Sequence, residues 1–343
     1  MEILKKLPMP DGMTKAEIVD LLLHEEYGYL PEAPQSVVAE VVGEEKNFCA
    51  GKATLRHLKL HTKNSFGDFS FPVFYACPNE KNEPVPCFIH INFRNLVPDR
   101  YQPTEELIDA GFAVLTVFYK DISSDDGDFT NGLAGVVYPD GKRTDAQCGK
   151  IGLWAWAAMC VMDYAQTLPE IDGGKISVVG HSRLGKTALL TGMLDERFFC
   201  AISNDSGCSG AALSRENDGE TIAKIYEVFP FWFCERYAKY ANQEDGMPFD
   251  QHYLIAANYP HRVYVASAEG DAWACPKNEY LSCVAASSFY EKQGKPGFVH
   301  PPRIAEVGEC FHEGWIAYHK RAGTHYLSRD DWKFYIDYLN QHL

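Results

Sequence analysis

KISVVGHSRLGKTALLTG, residues 175–192, fits two unrelated chemical motifs. Residues 180–187 match G-x-x-x-x-G-K-[ST], the loop whose backbone amides wrap the phosphates of a nucleotide. The same stretch places Ser182 between an apolar run and a helical pattern. A strand-to-helix corner at that position exposes the hydroxyl as a nucleophile. The two interpretations predict different proteins, and the rest of the chain has to decide between them.

The chain around this stretch alternates between apolar runs and helical patterns. Runs of strand length occur at 86–93, 111–119, 175–181, 200–205 and 262–268, and helical patterns occur at 104–110 and 152–168. Runs that are apolar on both faces suit a parallel sheet covered by helices on both sides. The alternation therefore predicts an α/β fold with a mostly parallel central sheet.

No break in composition marks a linker, so we predict a single domain over residues 1–343. Within this domain we predict an N-terminal helix and a β-rich segment over residues 1–80, and the core that carries residues 175–192 over residues 81–343. Two stretches without clear periodicity, 120–150 and 292–308, are predicted to be long functional loops.

Composition narrows the class of protein. With 32 basic and 47 acidic residues, the net charge of -15 argues against nucleic-acid or anionic-membrane partners. Eleven cysteines without a C-x-x-C pair predict buried reduced thiols. No stretch has the apolar length of a signal peptide or a membrane span, which predicts a cytoplasmic protein.

A metal site has little support in the sequence. His57 and His61 lie four residues apart, but they alternate with leucines and so predict a strand with an exposed polar face. We expect no metal and no other cofactor. The sequence leaves the oligomeric state open.

Context favours the nucleophile over the nucleotide. A nucleotide site needs an Asp that holds magnesium, and Asp205 is the only candidate, while at least two core strands precede the motif. The elbow pattern G-x-S-x-G is broken at Leu184, yet the chain supplies Asp271 and His325 downstream in the order Ser, acid, His. We therefore predict an α/β-hydrolase fold and a serine carboxylic-ester hydrolase that forms an acyl-enzyme on Ser182.

Each catalytic candidate has a role and an alternative. His325 takes the proton of Ser182, a carboxylate orients His325, and the N–H of Arg183 with its guanidinium stabilises the oxyanion. Alternatively, Ser182 is a helix N-cap, His325 is a loop histidine and Asp271 is a turn residue. Asp205 also follows a strand and is a second candidate for the acid. We favour Asp271, because we expect the short side chain of Asp205 to reach His325 less well.

Aromatic and basic residues near the motif predict a binding surface. FPFWF, residues 229–233, and Trp273 offer stacking faces, and within the former Trp232 is the largest ring. The alternative for 229–233 is packed core. Lys186 lies in the first turn after the proposed nucleophile and is predicted to point toward the pocket mouth, or else to be a solvated helix residue.

GHSRLGKTALL and NDSGCSGAALSR resemble the glucuronoyl esterase family of carbohydrate esterases and its bacterial relatives called acetyl xylan esterases. The likeness extends from HEEYGYLP to GTHYLSRDDW, which is nearly the whole chain. In this family the glycine after the nucleophile stands one place later than in G-x-S-x-G. The resemblance implies a nucleophile at Ser182, an oxyanion-hole arginine at Arg183 and a base at His325. It also implies that Lys186 contacts sugar hydroxyls and that Trp273 lies in the sugar pocket.

The chain departs from the family in three respects. His181 replaces the usual cysteine before the nucleophile, and the resemblance places no equivalent of the uronate-binding Gln and Glu between Gly219 and Phe233. Secreted members of the family also have signal peptides and disulfides, and this sequence shows neither pattern. We expect a small-molecule or oligosaccharide ester as substrate. An acetyl xylan esterase or deacetylase, a nucleotide-binding protein and a sugar-binding protein without turnover are the alternatives.

Overall fold

Parallel strands make up the centre of the structure, a computed structural model that describes residues 2–343. Within these residues the strands of one sheet are Ser36–Phe48 (β1), Ala53–Lys63 (β2), Phe69–Pro78 (β3), Val85–Asn92 (β4), Ala113–Phe118 (β5), Ile171–His181 (β6), Cys200–Asn204 (β7), Arg262–Ala268 (β8), Cys310–Phe311 (β9) and Ile316–Arg321 (β10). Their order across the sheet is β1-β2-β3-β5-β4-β6-β7-β8-β10-β9.

The six neighbouring strands from β5 to β10 run parallel, and the outer strands β1, β2, β3 and β9 are antiparallel to their neighbours. Because β3 pairs with β5, the β-rich N-terminal segment extends the same sheet as the core. This mixed α/β architecture with a mostly parallel centre confirms the predicted fold class. His57 and His61 lie on β2, where their Nε2 atoms are 3.2 Å from Glu45 and 3.3 Å from Glu40.

Helices cover both faces of the sheet. The α-helices among residues 2–343 are Lys15–Leu22 (α1), Thr104–Asp109 (α2), Tyr119–Ile122 (α3), Gly132–Val137 (α4), Lys150–Ala165 (α5), Arg183–Leu194 (α6), Ile222–Val228 (α7), His252–Ala256 (α8), Pro276–Lys292 (α9) and Arg329–His342 (α10). No helix in this range is both long and apolar enough to cross a membrane.

Alternation along β4 shows how the sheet separates two cores. Ile89 belongs to the larger cluster, which α5 and α6 complete with residues such as Trp154 and Leu189. Its neighbour Phe88 points to the other cluster, which is closed by Trp332 of α10. Strands buried on both faces explain the continuous apolar runs of the sequence.

β10 and α9 are among the elements that the sequence-based prediction did not include. β10 contains His319 and Arg321, which are buried because both contact the carboxylate of Asp331. α9 buries polar residues, among them Asn278 and Glu279, so its helical face does not stand out as an apolar stripe. In both elements, pairing between polar groups permits burial that composition does not indicate.

Two expectations about loops and cysteines need correction. Residues 120–150 include the short helices α3 and α4. Residues 293–308 pack beside α9, where the N–H of Phe298 donates to Ser287 Oγ. None of residues 293–308 lines the candidate site described below. All eleven cysteines in the described chain are free thiols, and nine of them are buried. Cys49 is half-buried and Cys310 is exposed, because they lie in a turn and on an edge strand.

Candidate active site

Ser182 alone forms the corner between β6, which ends at His181, and α6, which begins at Arg183. Its φ of 58° and ψ of -128° are strained for any residue with a Cβ. Ser182 occupies the N-cap position of α6, but its hydroxyl makes no capping hydrogen bond, so a capping role does not explain this serine. A corner of one residue offers no loop that could wrap phosphates, so the nucleotide-binding alternative is wrong.

Close packing at the corner explains the position of the glycines. A Cβ on Gly180 would lie 2.0 Å from the carbonyl oxygen of Leu184, and a Cβ on Gly185 would lie 3.0 Å from Ser203 Oγ. The side chain of Leu184 is fully buried in the core, so this position does not need glycine. The second glycine is therefore required one place later than in G-x-S-x-G.

His325 lies in the loop between β10 and α10, and its Nδ1 is 2.6 Å from Oδ2 of Asp271. Asp271 follows β8 and is buried, whereas 43% of the His325 side chain is exposed. The helix after this loop begins at the N-cap Ser328, whose hydroxyl accepts a hydrogen bond from the N–H of Asp331. The structure thus brings together the histidine and the first of the two candidate acids.

Asp205, the second candidate acid, lies close to the same histidine but faces other partners. Polar atoms of Asp205, Asp271 and His325 lie within 4.8 Å of one another. However, Asp205 Oδ1 accepts the N–H of Ala268 at 2.7 Å, and Oδ2 accepts a hydrogen bond from Arg321 at 3.3 Å. Burial and nearby carboxylates raise the pKa of Asp205 well above its usual range, which weakens it as an orienting anion.

His181 packs beneath the proposed base. Its ring centroid lies 4.4 Å from that of His325, and its Nδ1 is 2.6 Å from Asn204 Oδ1. Burial, followed by repulsion from His325, lowers the pKa of His181 to about 3. His181 is therefore neutral at physiological pH and does not add a like charge against an imidazolium at His325.

The guanidinium of Arg183 is held by an aromatic wall and one carboxylate. It lies 4.5 Å from the ring centroid of Trp232 and 5.1 Å from that of Phe229. Asp125 accepts hydrogen bonds from Arg183 Nη1 and, at 2.8 Å, from Trp232 Nε1. Arg183 Nε is buried without a partner. Sequence reasoning missed Asp125; the only signal was the loop prediction for residues 120–150.

Lys186 lies inside the pocket, and its predicted position at the mouth is wrong. The residue is 2% exposed, and its Nζ donates to the carbonyls of Ser206 and Cys208 at 2.5 Å each. Its Nζ also lies 3.4 Å from Glu220 Oε2. Burial of the ammonium is possible because backbone oxygens and a carboxylate surround it.

The carboxylate of Glu220 lies between Lys186 and Trp273 and contacts both. Its Oε1 accepts a hydrogen bond from Trp273 Nε1 at 3.0 Å, while 52% of the Trp273 residue remains exposed. Sequence reasoning did not assign Glu220 a role, because Glu220 belongs to no motif of fixed spacing.

A cavity of about 380 Å³ joins most of these groups. It is lined by Ser182, Arg183, Lys186, Asp205, Ser206, Gly207, Glu220, Val228, Phe229, Trp232, Trp273, Ala274 and His325. Asp271 lies behind His325, away from the lining. Trp232 is 3% exposed and still lines the cavity, so it belongs to both the core and the site.

A serine at a strand-to-helix corner and a histidine in the loop before the last helix are the arrangement of α/β-hydrolases, and this class contains many carboxylic ester hydrolases. The family model described as fungal glucuronyl esterase matches residues 60–294. The chain belongs to the glucuronoyl esterase family, which confirms the resemblance seen in the sequence.

Individual relatives agree with this assignment. A carbohydrate esterase from an unknown prokaryotic organism is 39% identical over 252 residues, which are 73% of this chain and 58% of that protein. The 4-O-methyl-glucuronoyl methylesterase 1 of Wolfiporia cocos is 25% identical over 307 residues, 87% of this chain and 71% of that protein. The match to the prokaryotic relative thus spans less than two thirds of that protein's length.

Solved structures show the same architecture. The glucuronoyl esterase from Solibacter usitatus superposes with a TM-score of 0.88 at 30% identity, covering 96% of this chain and 92% of the other. A promiscuous CE15 esterase from the marine bacterial metagenome gives a TM-score of 0.86 at 30% identity, covering 97% and 92%.

Proposed function

We propose that this chain hydrolyses esters of a glucuronoyl group through an acyl-enzyme on Ser182. The observation that carries the proposal is the 2.6 Å hydrogen bond between His325 and Asp271, beside the pocket that Ser182 lines. The names of the relatives supply the substrate class, because the fungal relative is a 4-O-methyl-glucuronoyl methylesterase.

Attack begins when Ser182 Oγ adds to the ester carbonyl and its proton passes to His325 Nε2. The Nδ1–H of His325 donates to Asp271, which fixes the tautomer that leaves Nε2 free to accept. The resulting imidazolium is stabilised by the buried carboxylate. It then gives the proton to the departing alcohol, and water reverses the sequence to release the uronic acid.

Two donors from Arg183 are available to the oxyanion. The residue stands in the first turn of α6, where its N–H has no acceptor within the helix. Its guanidinium is fixed by Asp125 and Trp232 and lines the same pocket as Ser182. Fixed donors of this kind contribute about 3 kcal/mol each to stabilising a tetrahedral intermediate.

The sugar ring of the acyl group is assigned to the side of the pocket formed by Lys186, Glu220 and Trp273. Lys186 and Glu220 together offer a donor and an acceptor, which matches a sugar hydroxyl that both accepts and donates. The exposed ring of Trp273 offers a face for the apolar side of a sugar.

A substrate panel tests the proposal. We expect methyl 4-O-methyl-glucuronate to be hydrolysed at least about tenfold faster, in kcat/KM, than acetylated xylo-oligosaccharides, since a tenfold ratio corresponds to about 1.4 kcal/mol of transition-state discrimination. Ser182→Ala should abolish both activities without lowering the melting temperature. Preferential cleavage of the acetyl esters would favour an acetyl xylan esterase, and unchanged turnover by Ser182→Ala would refute the proposed nucleophile.

A further inference from the structure

One buried guanidinium binds the backbone on both sides of His325. Arg321, the last residue of β10, directs Nη1 to the carbonyls of Ala322 at 3.0 Å and Thr324 at 3.3 Å. Its Nη2 donates to the carbonyls of Thr324 and Tyr326. We name residues 322–327 the base loop. The carbonyls that flank the histidine in this loop therefore share a single donor group.

The guanidinium itself is anchored from behind. Its Nε lies 2.8 Å from both oxygens of Asp331, and Nη2 also donates to Asp205 at 3.3 Å. Asp331 is fully buried and is held in turn by His319 at 2.8 Å and by Ser328. A planar fork bound on several edges cannot rotate without breaking most of these contacts.

The base loop is also tied to the loop that carries Asp271. The N–H of Gly270 donates to the carbonyl of Gly323 at 2.8 Å, and the N–H of Glu269 donates to the carbonyl of Arg321 at 2.9 Å. Gly323 has a φ of 101°, and a Cβ there would lie 3.0 Å from Arg321 Nη1. Backbone hydrogen bonds close to Arg321 thus fix the loop that carries His325 relative to the loop that carries Asp271.

We propose that Arg321 is a positioning residue that sets the place of His325 relative to Ser182 and Asp271. The proposal rests on the proposed function, because it assigns His325 as the base. Arg321 does not line the pocket, so its effect passes through the carbonyls of the base loop to the imidazole. A displacement of about 1 Å at a catalytic group lowers the rate by about a hundredfold.

Arg321→Lys separates positioning from stability. A lysine keeps a positive charge beside Asp331 and Asp205 but lacks the fork that reaches both flanking carbonyls. Arg215→Lys is the matched control. Arg215 is similarly buried and lies outside the candidate site. Its guanidinium donates to the carboxylate of Asp250 and to three backbone carbonyls, those of Asp245, Met247 and Phe249.

Ester turnover, the rate of Ser182 labelling by a fluorophosphonate and the melting temperature are measured for both variants and the unchanged protein. We expect Arg321→Lys to lower kcat and the labelling rate by about ten- to a hundredfold with KM within about twofold. Arg215→Lys should lower the melting temperature comparably and leave kcat unchanged. Equal kcat in the two variants, or a change confined to KM, would overturn the positioning role.

Gly323→Ala provides a second variant that retains Arg321 and its carboxylates. Its Cβ would press on Nη1, so we expect the same selective loss of kcat and labelling. A folded Gly323→Ala protein with full kcat would contradict the proposal, whether or not Arg321→Lys folds. If the unchanged protein neither reacts with fluorophosphonate nor hydrolyses esters, the proposed function fails and the positioning role fails with it. Labelling without turnover of the glucuronoyl ester refutes only the substrate.

Discussion

Asp271→Asn is the substitution with the most clearly determined consequence, because the structure fixes how the new amide sits. Asp271 Oδ1 accepts the N–H of Ala274 at 3.3 Å, while Oδ2 faces His325 Nδ1 at 2.6 Å. An asparagine keeps its oxygen on the Ala274 N–H and so turns its NH₂ toward the histidine. Nδ1 must then accept a hydrogen bond, and the proton of the neutral ring moves to Nε2.

A histidine protonated at Nε2 cannot remove the proton of Ser182. The loss of the correct tautomer in such a triad lowers kcat by about 10⁴, or about 5.5 kcal/mol. Asp205→Asn differs, because its oxygen still accepts from Ala268 and only the hydrogen bond to Arg321 is lost. We expect kcat of Asp205→Asn to stay within about tenfold, a change of about 1.4 kcal/mol.

The two variants are compared at saturating methyl 4-O-methyl-glucuronate, with the melting temperature and circular dichroism as folding controls. The expected ranking is a crippled Asp271→Asn and a moderately affected Asp205→Asn. The reverse ranking in folded proteins would make Asp205 the orienting acid and refute the tautomer argument. Similar losses of kcat in both variants would show that neither carboxylate acts alone.

Asp125→Asn should lower kcat by about tenfold with little change in KM, because it removes the charge that fixes the Arg183 guanidinium, and a loss seen only in KM would contradict this. Trp273→Ala should raise KM for glucuronoyl esters but not for 4-nitrophenyl acetate, and equal effects on both would remove Trp273 from the sugar site. Burial raises the pKa of Glu26 to about 8 from 4.5, so the unfolded chain ionises first and stability falls as pH rises through this range. Glu26→Gln should therefore gain about 3 kcal/mol relative to the unchanged protein between pH 5 and pH 7, measured by urea unfolding, and a constant difference would refute the shift.

Residues with a fixed position along the chain could be predicted from the sequence. Ser182, Asp271 and His325 follow strands or precede a helix in an order that the α/β-hydrolase topology imposes. The strands around them are buried on both faces, so their apolar runs are visible without a structure. Local sequence therefore indicated which elements carry the candidate catalytic groups.

The missed residues are those brought in by contacts between distant segments. Asp125 reaches Arg183 from a loop 58 residues upstream, and Glu220 meets Lys186 from 34 residues downstream. Neither position belongs to a motif of fixed spacing. The position of Lys186 was mispredicted for the same reason, since its burial depends on carbonyls and a carboxylate supplied by another loop.

The sequence by itself determined the strand–helix alternation, the corner serine and the order of acid and base, because periodicity and close-packed glycines are local properties of a chain. Only the tertiary structure shows which of the two aspartates hydrogen-bonds to His325. Asp205 and Asp271 both end parallel strands on one edge of the sheet, and their polar atoms lie within 4.8 Å of each other and of His325. The two aspartates differ in their hydrogen bonds. Both oxygens of Asp205 accept from other groups, Ala268 N–H and Arg321, whereas Oδ2 of Asp271 accepts from the imidazole of His325. Such a choice depends on directional contacts made after the chain has folded, and no spacing along the sequence encodes it.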